Sequence, residues 1–116
     1  MEIIELPKDL NEKLFEVLEI SRSSGKIRRG TNEVTKALER NEAKLVVVAG
    51  DVTPAEVIMH LPLLCKEKKI PIVKVSSKDE LGVATGIAIP TASAAVVDAG
   101  EAKALLAEVS KKILEA

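Results

Sequence analysis

Apolar residues recur along this chain in two rhythms, a three-to-four spacing and short unbroken runs, and the two alternate. Leu10, Leu14, Val17 and Leu18 form a helical stripe, so the spacing predicts a first helix over residues 9–23. Asp9 with Glu12 three residues later has the form of a capping box, and Ser23-Ser24-Gly25 ends the helix with Gly25 as a left-handed cap. A short basic strand, Lys26 to Arg29, follows. Thr31 reads as the N-cap of a second helix that begins at Asn32, ends near Asn41 and turns Val34, Ala37 and Leu38 inward. Leu45 to Ala49 is continuously apolar, the pattern of a buried central strand. Thr53, Pro54 and Glu56 then read as N-cap, first helical residue and box acid of a third helix running to about Lys69, kinked or divided by Pro62. Pro71 to Val75 is another strand. Ser77-Lys78-Asp79-Glu80 opens a short helix through Ala84, with Gly86 ending it. Thr91 to Asp98 is a strand of small and branched residues. Asp98-Ala99-Gly100 turns the chain into a last helix over Glu101 to Leu114, with Leu105, Leu106, Val109 and Ile113 inward. Helices alternating with strands predict an α/β fold, a three-layer α/β/α sandwich around a small mixed sheet. With no repeats, low-complexity tracts or linkers, residues 1–116 read as a single domain.

Composition narrows the function. The 116 residues suffice for one core, and no stretch approaches the roughly 20 apolar residues of a membrane span. The first residues carry Glu2 and Glu5 and no apolar run, so no signal peptide is expected. Cys65 and His60 are each the single residue of their type, which leaves no disulfide, no zinc ligand set and no expected cofactor. A reducing, cytoplasmic setting is the expectation. The absence of Gln, Trp and Tyr beside many Lys and Glu leans toward a thermophilic source. Phe15 is the only aromatic residue, which argues against modules that read single-stranded RNA by stacking bases.

Charge singles out residues 25–36. Lys26, Arg28, Arg29 and Lys36 stand there against Glu33 alone, whereas residues 1–19 hold six acids against two bases and the whole chain is −1. A concentrated basic site on a nearly neutral chain marks a local anion site. Gly30 lets a ligand approach the backbone closely. The helix start after it offers free N–H groups and the positive end of the dipole, a phosphate site. Asn32, Glu33 and Lys36 share one helix face. Glu33 is the odd member, because a phosphate repels it. A guanine attracts it, since N1–H and N2–H need an acceptor, and Asn32 and Lys36 could donate to the same base at O6. Watson–Crick pairing hides N1–H, so such a guanine would be paired another way. On local pattern alone, a surface helix start touching only water is the simpler reading, because such starts are common.

Two other stretches carry alternatives. Asp51 directly follows the apolar run, as a phosphoacceptor does in receiver-type domains, and a doubly wound phosphoacceptor or small-molecule enzyme centred on it is the competing function. No companion acids precede it at a strand end, and a turn before a helix start accounts for it as well. Ile87-Ala88-Ile89-Pro90 reads from pattern alone as a buried strand edge.

Gly25-Lys26-Ile27-Arg28-Arg29-Gly30-Thr31-Asn32-Glu33-Val34-Thr35-Lys36 resembles the signature of the L-seven-Ae family of kink-turn RNA-binding proteins. His60 through Pro71 resembles its second motif and Leu81-Gly82 through Ala95 its third, in the family's order. The resemblance implies a non-enzymatic protein that recognises kink-turns and kink-loops and stabilises the bent RNA. Archaeal members sit in the large ribosomal subunit, in box C/D and H/ACA guide particles and in ribonuclease P. The implied partners are ribosomal RNA, guide RNAs, ribonuclease P RNA and guide-particle proteins, with a monomer when free, no membrane and no metal. By the same resemblance, Gly30, Asn32, Glu33 and Lys36 match contacts to tandem sheared G·A pairs. Lys26, Arg28, Arg29 and Thr31 match positions near the phosphate backbone, and Ile87, Ala88 and Ile89 match the loop around an extruded nucleotide. Thr53 stands where many members have an acid, Ala88 replaces a frequent Glu, and Val34 and Gly50 also depart from the commoner pattern.

Overall fold

The structure is a computed structural model that describes residue 3 and residues 5–51, 59–87 and 90–115. Its elements are α1 (Lys8–Ser24), β1 (Lys26–Arg29), α2 (Thr31–Glu39), β2 (Leu45–Ala49), α3 (Leu61–Lys68), β3 (Ile72–Val75), α4 (Lys78–Ala84), β4 (Ser93–Asp98), a 3-10 turn (Gly100–Ala102) and α5 (Lys103–Glu115). The four strands form one mixed sheet in the order β1-β4-β2-β3. β4 pairs antiparallel with both β1 and β2, and β2 pairs parallel with β3. β1 is therefore an edge strand.

The alternation of side chains across the sheet divides the core in two. Leu45, Val47 and Ala49 of β2 and Ala94 and Val96 of β4 face α1, α4 and α5, where they meet Leu14, Leu18, Leu81 and Val109. Val46, Val48 and Ala95 point the other way, onto Val34, Ala37 and Leu38 of α2 and Leu61 and Cys65 of α3. This is the expected three-layer sandwich. The apolar run at 45–49 is buried at every position because helices cover both faces of its strand.

Four local expectations are corrected. α1 begins at Lys8 after Pro7 with no side-chain cap, so Asp9 lies inside the first turn and makes no capping box. There it still complements the positive helix end. Gly25 has φ −135, not a left-handed value, and its N–H reaches Ser21 O as the helix closes. It is glycine for space: a Cβ there would run into the Asp98 carbonyl oxygen and come within 2.8 Å of Gly100 N. Thr31 is the first helical residue of α2 and Gly30 holds the cap position, at φ 89 and ψ 148. The last helix is also split, its first turn being the 3-10 segment after Gly100.

Other boundaries fall where chemistry placed them. The Ser77 hydroxyl accepts from Asp79 N–H at 3.1 Å and Glu80 N–H at 3.3 Å, and caps α4. Pro62 lies in the first turn of α3, where its missing N–H costs nothing. The Thr53, Pro54 and Glu56 helix start lies outside the described residues. No helix among the described residues is long and apolar enough to cross a membrane.

Candidate nucleic-acid interface

Strand β1 and the first turn of α2 meet at Gly30, and that corner carries the charged residues singled out in the sequence. Lys26, Arg28 and Arg29 are exposed along the edge strand, and Asn32, Glu33 and Lys36 are exposed on α2. The corner is fixed from beneath. Gly30 N–H donates to Ser93 O at 2.9 Å, the Thr31 and Ser93 hydroxyls lie 3.3 Å apart, and Thr91 Oγ1 donates to the same Ser93 carbonyl at 3.0 Å. Val34 is wholly buried, so the inward face of α2 anchors the helix while its opposite face stays open. Gly30 occupies backbone space that is essentially reserved for glycine. With no side chain at the cap position, no cap side chain among the described residues bonds the first N–H groups of α2. They remain available to an anion or a base.

Glu33 and Lys36 form an ion pair at 3.6 Å, with side chains 51% and 56% exposed. A pair this open contributes about 0–1 kcal/mol, so a ligand can part it at little cost. Thr35 donates to Thr31 O at 2.7 Å and lies 2.8 Å from His60 Nε2. A hydroxyl carries one proton, so His60 donates through Nε2–H in this arrangement. His60 thereby fastens the start of α3 to α2.

The turn after α4 lies against the same corner. Arg29 Nε donates to Thr85 O at 2.8 Å, which ties the end of β1 to the end of α4. Gly86 N–H donates to Val83 O and Ile87 N–H to Gly82 O, each at 3.0 Å, with Gly86 at φ +85. This pair of hydrogen bonds around a left-handed residue is a Schellman ending. It sends the chain from Gly86 away from the helix, with Ile87 half-buried. The Arg29 bond to Thr85 O brings the turn that leads into Ile87 to the end of β1, where the resemblance puts the loop around an extruded nucleotide. Ala88 and Ile89 lie outside the described residues.

Other chemistry-bearing residues take structural roles. Asp51 Oδ1 accepts Lys78 N–H at 2.8 Å, so together with Ser77 it satisfies the leading N–H groups of α4. Its position after β2 serves a cap, and no group of three His, Cys, Asp or Glu that could hold a metal gathers among the described residues. Cys65 is buried, and desolvation pushes its thiol from an ordinary 9.0 up to about 12. Arg22, not singled out in the sequence, stands at the end of α1 beside Gly86. Ser93, also missed, is the buried hydroxyl on which the corner is built. A hydroxyl inside a strand of Ala and Val is the signal that could have found it.

The fold has a counterpart among known proteins. A Giardia lamblia 15.5kD RNA binding protein superposes with a TM-score of 0.90 at 32% identity, over 96% of this chain and 92% of that one. The profile of the ribosomal protein L7Ae/L30e/S12e/Gadd45 family matches residues 12–106, from the second turn of α1 into α5. That span contains both halves of the corner, and the chain belongs to the ribosomal protein L7Ae/L30e/S12e/Gadd45 family.

Proposed function

We propose that this protein binds RNA at the β1–α2 corner, recognises the kink-turn and stabilises its bent form. The observation that carries the reading is the open first turn of α2. Asn32, Glu33 and Lys36 stand exposed there, beside a basic edge strand and within one hydrogen bond of the Thr85–Ile87 turn. Phosphate alone would not call for Glu33. A guanine in a sheared G·A pair offers N1–H and N2–H to its carboxylate and O6 to Asn32 and Lys36. Lys26, Arg28 and Arg29 follow the phosphate backbone, with Gly30 and Thr31 at close approach, while Ile87 packs on an unstacked base together with Ala88 and Ile89. The role is one of binding and shaping, not of catalysis, in keeping with the family.

On this reading the partners are kink-turns of ribosomal RNA, of box C/D and H/ACA guide RNAs and of ribonuclease P RNA. Guide-particle proteins assemble on the result. Residues 1–116 act as one domain, and the free protein is a monomer. Fluorescence transfer between labels on the two arms of a kink-turn oligonucleotide should rise to a plateau as protein is added. Arms that stay extended at saturating protein would refute the reading.

A further inference from the structure

The end of α4 is held from two sides by arginines that come from different elements. Arg29 reaches it from β1 and donates to the Thr85 carbonyl. Arg22 reaches it from the last turn of α1. A Cβ built on Gly86 would overlap Arg22 Cδ, lie 2.7 Å from Nη1 and 3.1 Å from Nε, so the guanidinium lies against the bare face of that glycine. Among the described residues Arg22 has no ion-pair partner, although it is exposed. Packing on Gly86 and the negative ends of α1 and α4 account for its place.

We propose that Arg22 is a positioning residue of the interface: its guanidinium fixes the Gly86–Ile87 turn in the place from which Ile87 meets RNA. The inference rests on the RNA-binding reading above. Gly86 at φ +85 is the freest residue in the turn, and it has no side chain of its own with which to pack. The Schellman bonds fix Gly86 and Ile87 relative to α4. They do not fix the turn relative to α1 and β1. Arg22 and Arg29 do that, one pressing from α1 on Cα of Gly86 and the other holding from β1 the carbonyl just before it. A planar fork can lie flat on a glycine, and a lysine ammonium on a flexible stem cannot.

The test compares four proteins on two RNAs. The proteins are wild type, Arg22→Ala, Arg22→Lys and Arg28→Ala. The RNAs are a kink-turn oligonucleotide and the same oligonucleotide with an abasic site at the extruded nucleotide. Arg22→Ala should weaken binding of the intact RNA about fivefold, in the range of coupled neighbouring contacts, and leave the abasic RNA within about twofold of wild type. Arg22→Lys should behave as Arg22→Ala, because charge without the planar fork does not hold Gly86. Arg28→Ala should lose equally on both RNAs, as a phosphate contact does. Thermal melting should leave both Arg22 variants at the wild-type midpoint. Equal losses on both RNAs with recovery in Arg22→Lys would make Arg22 a phosphate contact and overturn the proposal, as would no loss in either variant. Wild type that fails to prefer the kink-turn over a straight duplex would overturn the underlying reading as well, and the two failures are told apart by that first measurement.

Discussion

Glu33 is the residue whose charge argues against its position, and that makes it the sharpest probe. If the α2 start binds phosphate alone, Glu33→Gln should tighten binding by removing repulsion. A guanine reader should instead lose about 1–3 kcal/mol, because glutamine presents a donor where an acceptor is needed. Replacing the contacted guanine by inosine, which lacks the N2 amino group, should shrink that loss, and competition binding of both proteins against both RNAs measures it. Cys65 makes a different residue-scale prediction. The fold holds its thiol at about 12 against an ordinary 9.0, so the folded state keeps a proton that the unfolded chain gives up. Stability from this group is complete below pH 9, falls as pH rises above 9, and has been lost by pH 12. Melting from pH 8 upward should show a shallower alkaline decline in Cys65→Ala than in wild type, and a thiol reagent at neutral pH should label native protein only after denaturant is added. Charged residues of the site were legible because their types and helical spacing are written in the sequence. Arg22 and Ser93 were not, because their roles depend on Gly86 and Gly30, far away along the chain and adjacent only in the fold.

At the scale of elements, Gly25 and Gly30 bracket β1 and are glycine for opposite reasons. Among the described residues nothing lies within 4 Å of a Cβ placed on Gly30, but its φ of +89 resists any other residue. At Gly25 φ is negative, at −135, and the Asp98 carbonyl occupies the space. Gly30→Ala should therefore cost about 1–3 kcal/mol as backbone strain and disturb RNA binding as α2 shifts. Gly25→Ala should cost about 1–3 kcal/mol, or more, by overpacking, because backbone cannot move aside as a side chain can. Denaturant titration of both variants, with RNA affinity measured in parallel, separates the two. Helix α4 supplies a second pair of tests. Ser77→Ala and Asp51→Ala each remove a cap acceptor, and each should cost about 0.5–2 kcal/mol in the same titration. The Ser77 cap was readable from sequence because its donors lie two and three residues beyond the acceptor. The matching pattern at Asp9 misled, because Pro7 already sets the backbone one residue ahead of Lys8 and α1 starts there. The Asp51 cap spans 27 residues, so no local rule could show it.

For the whole molecule, charge is divided rather than balanced. Four bases crowd residues 26–36 while acids outnumber bases over residues 1–19, on a chain of net charge −1. RNA affinity should therefore fall steeply with salt through the local site, by roughly three to four decades per decade of salt if each of the four cations displaces one counterion. A filter-binding series across ionic strength gives the slope, and a flat line would remove those residues from the interface. The layer order was legible from the alternation of helical stripes and apolar runs. Strand order was not, since β4, last in sequence, takes a place between β1 and β2. Only that insertion puts Ser93 under Gly30.

Strand β1 lies at the rim of the sheet, and its outward hydrogen-bonding side has consequences in the absence of RNA. The opposite rim, β3, has Glu5 bridged to Lys74. On β1 the deterrent to a second chain adding its own strand is the row of Lys26, Arg28 and Arg29. Those residues therefore guard solubility besides the RNA contact proposed for them, and the two duties separate by the choice of substitution. Replacing Lys26 and Arg28 with Val should leave a sticky β-edge whose light scattering grows with concentration. Replacing the same pair with Glu should abolish RNA binding yet keep the protein at the wild-type mass, because self-templating is blocked by charge of either sign.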